Sequence, residues 1–156
     1  YQASKEDPSL YGMGTTVVAA MVLGKTVYVV NVGDSRLYVC KESLTQVTVD
    51  HSLVEEMVQS GKLQKEEMRT HPNKNIITRA LGTNPEVKAD CFEIEVEEGD
   101  VLLLCSDGLS NMMEDKTMEA IIKKNPEDME QAARQLVDEA NKAGGKDNIS
   151  VVLVRI

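Results

Sequence analysis

The stretch VLLLCSDGLSN, residues 101–111, predicts a buried β-strand that ends at a carboxylate. Its first part, Val101–Cys105, is uniformly apolar, which is typical of a strand covered on both faces. Asp107 follows this run, and an unpaired carboxylate in such a dry place would destabilise the fold by several kcal/mol. We therefore expect water, a cation or a metal ion to compensate the charge of Asp107.

Two further aspartates have surroundings like those of Asp107. Asp34 follows the apolar run VYVVNVG, and Asp147 precedes the run NISVVLV. Aspartate beside glycine is common in turns, so each residue alone indicates a turn or a helix cap. If neighbouring strands bring Asp34, Asp107 and Asp147 to one rim of a sheet, their carboxylates suit hard cations such as Mg²⁺ or Mn²⁺.

The composition indicates one domain with an aliphatic core, because the 156 residues are 42% hydrophobic but include no Trp and one Phe. The net charge of −9 argues against nucleic acid and anionic membranes as partners. Cys40, Cys91 and Cys105 show no C-x-x-C spacing, so they are interpreted as reduced core thiols of a cytoplasmic protein.

The pattern of apolar residues predicts an α+β fold whose strands form a mainly antiparallel sheet, with helices packed on the sheet faces. The first two strands form a predicted hairpin that is covered on both faces, and the next two continue it as a meander. A second hairpin is expected to turn at Glu98–Asp100. The predicted strands are residues 15–23, 26–32, 36–40, 45–49, 75–81, 92–96, 101–105 and 148–156.

Three helices are predicted from apolar stripes and from the residues that precede them. Ser52 is the expected cap of the first helix, because a Glu follows three residues later. Asp115 is the expected cap of the second helix, and Asn125-Pro126 the expected start of the third. The charged residues 61–75 are expected to form an exposed excursion.

Two side chains near the aspartates are interpreted as structural. His51 stands at the entry to the first helix, where we expect it to bond locally rather than to act as an acid or base. Arg36 follows Asp34 closely and could contact phosphate, but we expect it to pair with a nearby aspartate.

Six motifs follow one another from about residue 12 to the end of the chain, and their order is as informative as their residues. They are GMGTTVV (12–18), VNVGDSRLYV (30–39), VTVDHSLV (47–54), ITRALG (77–82), LLLCSDGLSN (102–111) and GGKDNISVVLV (144–154). Together they resemble the PP2C (PPM) family of metal-dependent protein serine/threonine phosphatases, in the short form of its stand-alone bacterial members. The resemblance implies a β-sandwich of two mostly antiparallel sheets flanked by helices.

The resemblance also implies an activity and a set of site residues. The activity is hydrolysis of phosphoserine and phosphothreonine in proteins by metal-activated water, with two to three Mg²⁺ or Mn²⁺ ions. Asp107 and Asp147 match ligands of the binuclear centre, Asp34 matches a ligand of a third ion, and residues 53–74 match a mobile flap. The implied partners are phosphorylated proteins and a serine/threonine kinase.

One part of the family pattern has no match in this sequence. Family members carry an Arg-x-x-Asn-Glu-Asp-like stretch and an Asp-Gly-x-Gly-Gly-His motif, which supply a phosphate-binding Arg, the Asp that bridges two metals and a candidate acid. We therefore expect residues 1–156 to be a single phosphatase domain that is incomplete at its N-terminus, inactive alone and prone to self-association. The alternative is a non-catalytic regulatory or scaffold module of the same fold.

Overall fold

Seven strands form two antiparallel sheets in the computed structural model, which describes residues 1–156. One sheet has three strands in the order β1-β2-β5, and the other has four in the order β4-β3-β6-β7. The α+β fold with antiparallel sheets that the sequence predicts is confirmed. The strands are β1 Val17–Leu23, β2 Thr26–Val32, β3 Arg36–Cys40, β4 Leu44–Gln46, β5 Asp90–Glu95, β6 Val101–Cys105 and β7 Val151–Arg155.

Five α-helices and two short 3₁₀ helices complete the chain. The longest two follow β6 and lie against the four-stranded sheet, α4 on β4 and α5 on β7. The α-helices are α1 Gln2–Glu6, α2 Leu53–Gln59, α3 Asp107–Ser110, α4 Asp115–Lys124 and α5 Met129–Lys142, and the 3₁₀ helices are Pro8–Leu10 and Lys65–Thr70.

Two cores lie on opposite faces of the four-stranded sheet. Alternate residues of each strand point to opposite faces, so Leu37 and Leu102 meet β2 between the sheets while Tyr38 and Leu103 face the helices. The core between the sheets contains Val27, Val29, Leu37, Val39, Val96 and Leu102. The core under the helices is larger and includes Tyr38, Leu103, Leu109, Met118, Ile122 and Leu136. This sheet is therefore held from both sides.

The outer face of the three-stranded sheet is exposed, so the prediction that both faces of β1 and β2 are covered is wrong. The Met21 side chain is 55% exposed, and Tyr28, directly opposite it on β2, is 40% exposed. Val30 is also exposed on this face. The prediction failed because apolar composition indicates a strand but does not show which faces the rest of the chain covers.

The predicted second hairpin and the predicted meander are wrong in their pairing. β5 pairs with β2, whereas β6 pairs with β3, so the turn at Glu98–Asp100 carries the chain from one sheet to the other. The segment Gly33–Ser35 makes the same kind of crossing between β2 and β3. Only β1–β2 and β3–β4 are hairpins, in which two strands joined by a short turn also pair with each other. The turn of the first hairpin contains Gly24, which has a φ of +61°.

Several local predictions need correction. Residues 75–81 form no strand, because they make only two isolated bridges, Ser52 with Ile77 and Thr15 with Leu81. Ser52 does cap α2 and accepts from the Glu55 N–H at 3.3 Å. Glu114, not Asp115, precedes α4, and α5 begins only after Asp128, whose carboxylate accepts from Gln131 N–H.

The three cysteines are free thiols, and two of them lie in the core. Cys40 and Cys105 are buried on the helix side of the four-stranded sheet, whereas Cys91 is exposed, so the prediction of a core position is wrong for Cys91. Burial raises the pKa of the Cys105 thiol to about 12. None of the helices has the length and apolar character that crossing a bilayer requires.

Candidate metal centre

The three predicted aspartates lie at one end of three neighbouring strands. Asp34 precedes β3, Asp107 follows β6 and Asp147 precedes β7. The register pairs Arg36 with Cys105 and Cys105 with Val151, so these strand ends meet at the same rim of the four-stranded sheet. Antiparallel pairing is the reason that one residue follows its strand while the other two precede theirs.

Hydrogen bonds fasten the Asp147 loop to the Asp107 turn. The Ser106 N–H donates to Ser150 O at 3.1 Å, and the Ser106 hydroxyl donates to Asn148 O at 3.0 Å. The Ser106 hydroxyl also accepts from the Ser150 N–H at 2.9 Å. Because this serine precedes Asp107 directly, the two acidic turns are held side by side.

Gly108 lets the two turns approach each other closely. A Cβ at this position would lie 2.3 Å from Asn148 O and 3.4 Å from the Asp147 carbonyl carbon. The distance to Asn148 O is well inside van der Waals contact, so any other residue would push the two turns apart. The glycine of the SDG motif therefore has a packing function beside the carboxylates.

The electrostatics of the rim show that the carboxylates act on one another. Burial, followed by the nearby Asp107 carboxylate, raises the pKa of Asp34 from 3.8 to about 6. Burial and the Asp147 carboxylate also raise the pKa of Asp107. Asp107 is thus the shared neighbour of the other two, and the cluster has an excess of negative charge that a cation would offset.

The donor set fits a hard divalent cation but is not a complete site on its own. All three side chains offer carboxylate oxygens, which Mg²⁺ and Mn²⁺ prefer, and Gly108 lets the Asp107 and Asp147 turns lie close together. However, no three His, Cys, Asp or Glu side chains lie where they could hold a metal ion by themselves. Any ion here would need further oxygen ligands, such as water.

Arg36 is part of the rim but is already paired. Its guanidinium donates to both carboxylate oxygens of Asp50, with the shortest distance 2.7 Å, and to the Tyr38 hydroxyl at 2.9 Å. Asp50 is buried, so this bidentate pair fixes the floor of the site. The prediction that Arg36 pairs with an aspartate is confirmed.

A cavity of about 700 Å³ opens beside the rim. Asp34 and Asp107 line it, whereas Asp147 lies outside its wall. The wall carries both signs of charge. Its acidic residues are Asp34, Asp50, Glu55, Asp107, Glu114 and Asp115, and its basic residues are Arg36, Lys65, Arg69, Lys74 and Lys116.

Residues 53–74 line part of this cavity, and hydrogen bonds attach the segment at its base and at Arg69. The Leu53 N–H donates to Ile76 O at 2.9 Å, which closes the base of the segment. At the far end, the Arg69 guanidinium donates to the carbonyls of Ser110 and Met113, next to α3. The expected excursion, residues 61–75, thus contains the short 3₁₀ helix Lys65–Thr70. Arg69 of this helix joins it to the residues that follow Asp107.

Two residues of the site were missed in the sequence, and the role of a third was predicted wrongly. Asn111 donates to Asp107 Oδ2 at 3.2 Å, and Asp50 holds Arg36. His51 does not bond locally as expected, because its Nδ1 accepts from the Gly33 N–H at 3.0 Å. The motifs GDSR, DHSL and SDGLSN contain all of these residues, but nothing in the local pattern shows which motif contacts which.

Comparison with known proteins identifies the family. The model of the family Protein phosphatase 2C matches residues 2–57, and that of Stage II sporulation protein E (SpoIIE) matches residues 59–156. The solved PPM Ser-Thr phosphatase MsPP of Mycobacterium smegmatis superposes with a TM-score of 0.84 at 37% identity, over 99% of this chain and 70% of that one. The chain belongs to the PP2C (PPM) phosphatase family.

Other members of the PP2C family agree with this assignment. The serine/threonine phosphatase stp of Listeria monocytogenes serotype 4b (strain F2365) is 45% identical over 97% of this chain. This chain spans 60% of the length of that protein. The catalytic domain of PstP, solved in complex with two manganese ions, superposes with a TM-score of 0.87 at 35% identity, over 97% of this chain and 63% of that one. The family is metal-dependent.

Proposed function

We propose that this PP2C-family chain carries part of the active site of a protein serine/threonine phosphatase that hydrolyses phosphoserine and phosphothreonine with the aid of bound metal ions. The observation that carries the proposal is the convergence of Asp34, Asp107 and Asp147 at one rim, next to a cavity. The relatives described above are serine/threonine or protein phosphatases by name, which supports the same activity.

Asp34, Asp107 and Asp147 are the proposed metal ligands, and Mg²⁺ or Mn²⁺ the proposed ions, two to three in number. When bound, such ions supply an activated water and offset the charge of the phosphoryl oxygens. The chain's contribution is to hold the carboxylates close to one another, through the Ser106 bonds and the close approach of the two turns at Gly108. Without positive charge at the rim, Asp34 and Asp107 would repel a phosphorylated substrate.

The cavity is the proposed place of the phosphorylated protein segment, and residues 53–74 are its flap. Lys65 and Lys74 line the cavity from the flap, and neither forms an ion pair within the chain. Their amino groups are therefore available to an anionic substrate despite the net charge of −9. A serine/threonine kinase as partner and a cytoplasmic location stay predictions.

The test is Mn²⁺-dependent release of phosphate from a phosphothreonine peptide by the complete gene product. Asp107→Asn and Asp147→Asn should each lower the rate roughly 100-fold or more, because loss of even an outer partner of a metal ligand costs 10–100-fold. Asp138→Asn, which removes an exposed carboxylate on α5, is the matched control and should leave the rate unchanged.

Two outcomes would contradict the proposal. If the complete gene product releases no phosphate with Mn²⁺, the chain belongs to a non-catalytic regulatory or scaffold module. If it does release phosphate but Asp107→Asn and Asp138→Asn behave alike, the reaction takes place at another site. Self-association remains a separate prediction, and the exposed Met21, Tyr28 and Val30 are where it would take place.

A further inference from the structure

The turn that presents Asp34 has no sheet hydrogen bonds of its own. Gly33–Ser35 carries the chain from β2 in one sheet to β3 in the other, so no ladder passes through it. Gly33 has a φ of +111°, and a Cβ there would lie 2.3 Å from Thr16 Cγ2. The direction of Asp34 must therefore be set by groups from elsewhere in the chain.

His51 supplies two of the hydrogen bonds that hold this turn. Its Nδ1 accepts from the Gly33 N–H at 3.0 Å, and its backbone N–H donates to Gly33 O at 2.9 Å. Asn31, which is wholly buried, donates to the same carbonyl at 3.2 Å. Both polar groups of the Gly33 backbone are thus bonded, and the peptide before Asp34 cannot rotate without breaking at least two hydrogen bonds.

The bond from Gly33 fixes the protonation of the His51 ring. Because Nδ1 is an acceptor, the ring proton is on Nε2 and the neutral imidazole is the form that fits. Nε2 lies 3.1 Å from Asp90 Oδ2, although the ring does not point its N–H straight at the oxygen. Asp90 in turn binds Arg79 Nη1 at 2.7 Å through its other oxygen.

His51, Asp90 and Arg79 also join the two ends of the flap to β5. His51 stands just before the flap, and its carbonyl accepts from the Thr78 N–H at 2.8 Å. Arg79 is the next residue after Thr78, and Asp90 is the first residue of β5. One small group of side chains therefore connects the Asp34 turn, both ends of the flap and the edge of the three-stranded sheet.

We propose that His51 is a positioning residue that directs the Asp34 carboxylate toward Asp107, with the Asp90 carboxylate, which is paired with Arg79, lying against its ring. This inference rests on the proposed metal centre, because the position of Asp34 matters for function only if Asp34 binds an ion together with Asp107. His51 does not itself contact the ion or the substrate.

The first experiment measures Mn²⁺ affinity by electron paramagnetic resonance on residues 1–156 and on the complete gene product. His51→Ala should weaken Mn²⁺ binding roughly 10- to 100-fold, the range for groups that orient a metal ligand without contacting the ion. His51→Asn should restore most of the affinity, because its amide oxygen can accept from the Gly33 N–H. Asp138→Asn, which changes an exposed side chain on α5, is the control and should leave Mn²⁺ affinity unchanged.

Asp34→Asn serves as the reference that separates the two proposals. If Asp34→Asn leaves Mn²⁺ affinity unchanged, the proposed metal centre is wrong. If Asp34→Asn weakens binding but His51→Ala does not, the centre stands and the positioning role of His51 is refuted. Equal losses in His51→Ala and His51→Asn would also contradict the role, because the acceptor would then be irrelevant.

The second experiment needs no substitution of His51, so it remains decisive if His51→Ala does not fold. Nitrogen-15 NMR of the unmodified protein should show His51 with an unprotonated Nδ1 and a protonated Nε2 at neutral pH. Asp90→Asn should lower Mn²⁺ affinity by a smaller factor than His51→Ala and should broaden or shift the Gly33 amide signal. A His51 ring with its proton on Nδ1 would overturn the proposal.

Discussion

The two sheets of this domain have similar apolar strands but opposite surroundings. In the four-stranded sheet, Tyr38 and Leu103 are fully buried under α4 and α5. In the three-stranded sheet, the outward residues Met21 and Tyr28 are 55% and 40% exposed. All three aspartates of the candidate metal centre are on the rim of the covered sheet.

This difference shows that the fold is most tightly packed around the strands that carry the aspartates. Carboxylates that repel one another must be held by packing, because their own interaction favours separation. Cores on both faces of β3 and β6 fix the strand ends that carry Asp34 and Asp107. The three-stranded sheet is held from one side only, and it contacts the Asp34 turn through Asn31 on β2 and, by way of His51, through Asp90 on β5.

The largest expected effect of a substitution lies in the covered sheet. Leu103→Ala removes a fully buried side chain between β6 and the helices, and it should lower the free energy of unfolding by about 3 kcal/mol. Met21→Ala, the matched truncation on the exposed face, should change it by less than about 0.5 kcal/mol. Urea unfolding of the two variants measures both values.

Equal losses for Leu103→Ala and Met21→Ala would break the comparison. Such a result would mean that the outer face of β1 and β2 is covered in solution, for example by self-association. Repeating the Met21→Ala measurement over a range of protein concentrations shows whether self-association covers this face, because stabilisation by association depends on concentration.

A smaller effect is expected from Gly108→Ala at the rim of the covered sheet. The new Cβ would meet the backbone of Asn148 at 2.3 Å, so the Asp107 and Asp147 turns must separate. We expect a loss of about 2 kcal/mol in the free energy of unfolding, together with weaker Mn²⁺ binding. Urea unfolding and Mn²⁺ titration measure the two quantities.

Gly24→Ala in the hairpin of the exposed sheet is the matched control. Its Cβ would meet nothing within 4 Å, but its φ of +61° disfavours alanine. It should therefore lose about 1 kcal/mol of stability with no change in Mn²⁺ affinity. Loss of Mn²⁺ binding in Gly24→Ala as well as in Gly108→Ala would show that global destabilisation, not the rim, controls the affinity.

The sequence predicted the acidic rim better than it predicted the sheets. Val101–Cys105 followed by Asp107 is a local pattern, and its strand, burial and carboxylate all appear in the structure. Whether β6 pairs with β5 or with β3 depends on chain crossings between sheets, which leave no local signal. The contact of His51 with Gly33, 18 residues away, could not be predicted for the same reason.

The predicted start of α5 is wrong because Asn125 could either end one helix or begin the next. Asn125 before Pro126 is typical of a helix start, but its buried amide donates to Ile121 O at 2.8 Å and so ends α4. The start of α5 then falls to Asp128, three residues later. Tertiary burial of Asn125, which the local pattern cannot show, decides between the two roles.

The smallest expected effect is the pH-dependent change caused by Asp34→Asn. The pKa of Asp34 is raised to about 6 in the folded chain, from an ordinary 3.8, by burial and by Asp107. The folded chain therefore binds its proton more tightly than the unfolded chain, and stability is lost as pH rises from about 4 through 6. Asparagine removes this loss, so the metal-free variant should be more stable than the parent at pH 7 and equal to it near pH 4.

Unfolding in urea at several pH values, with and without Mg²⁺, measures this gain. Glu93→Gln on the exposed face of the three-stranded sheet is the control, and its stability difference from the parent should not follow the same curve. Saturating Mg²⁺ should reverse the order of Asp34→Asn and the parent, because an ion that binds ionised Asp34 stabilises only the parent. A stability gain of Asp34→Asn that stays constant from pH 4 to pH 7 would show that the gain does not come from removing the charge of Asp34. The carboxylates of the covered rim would then destabilise the fold no more than those of the exposed sheet.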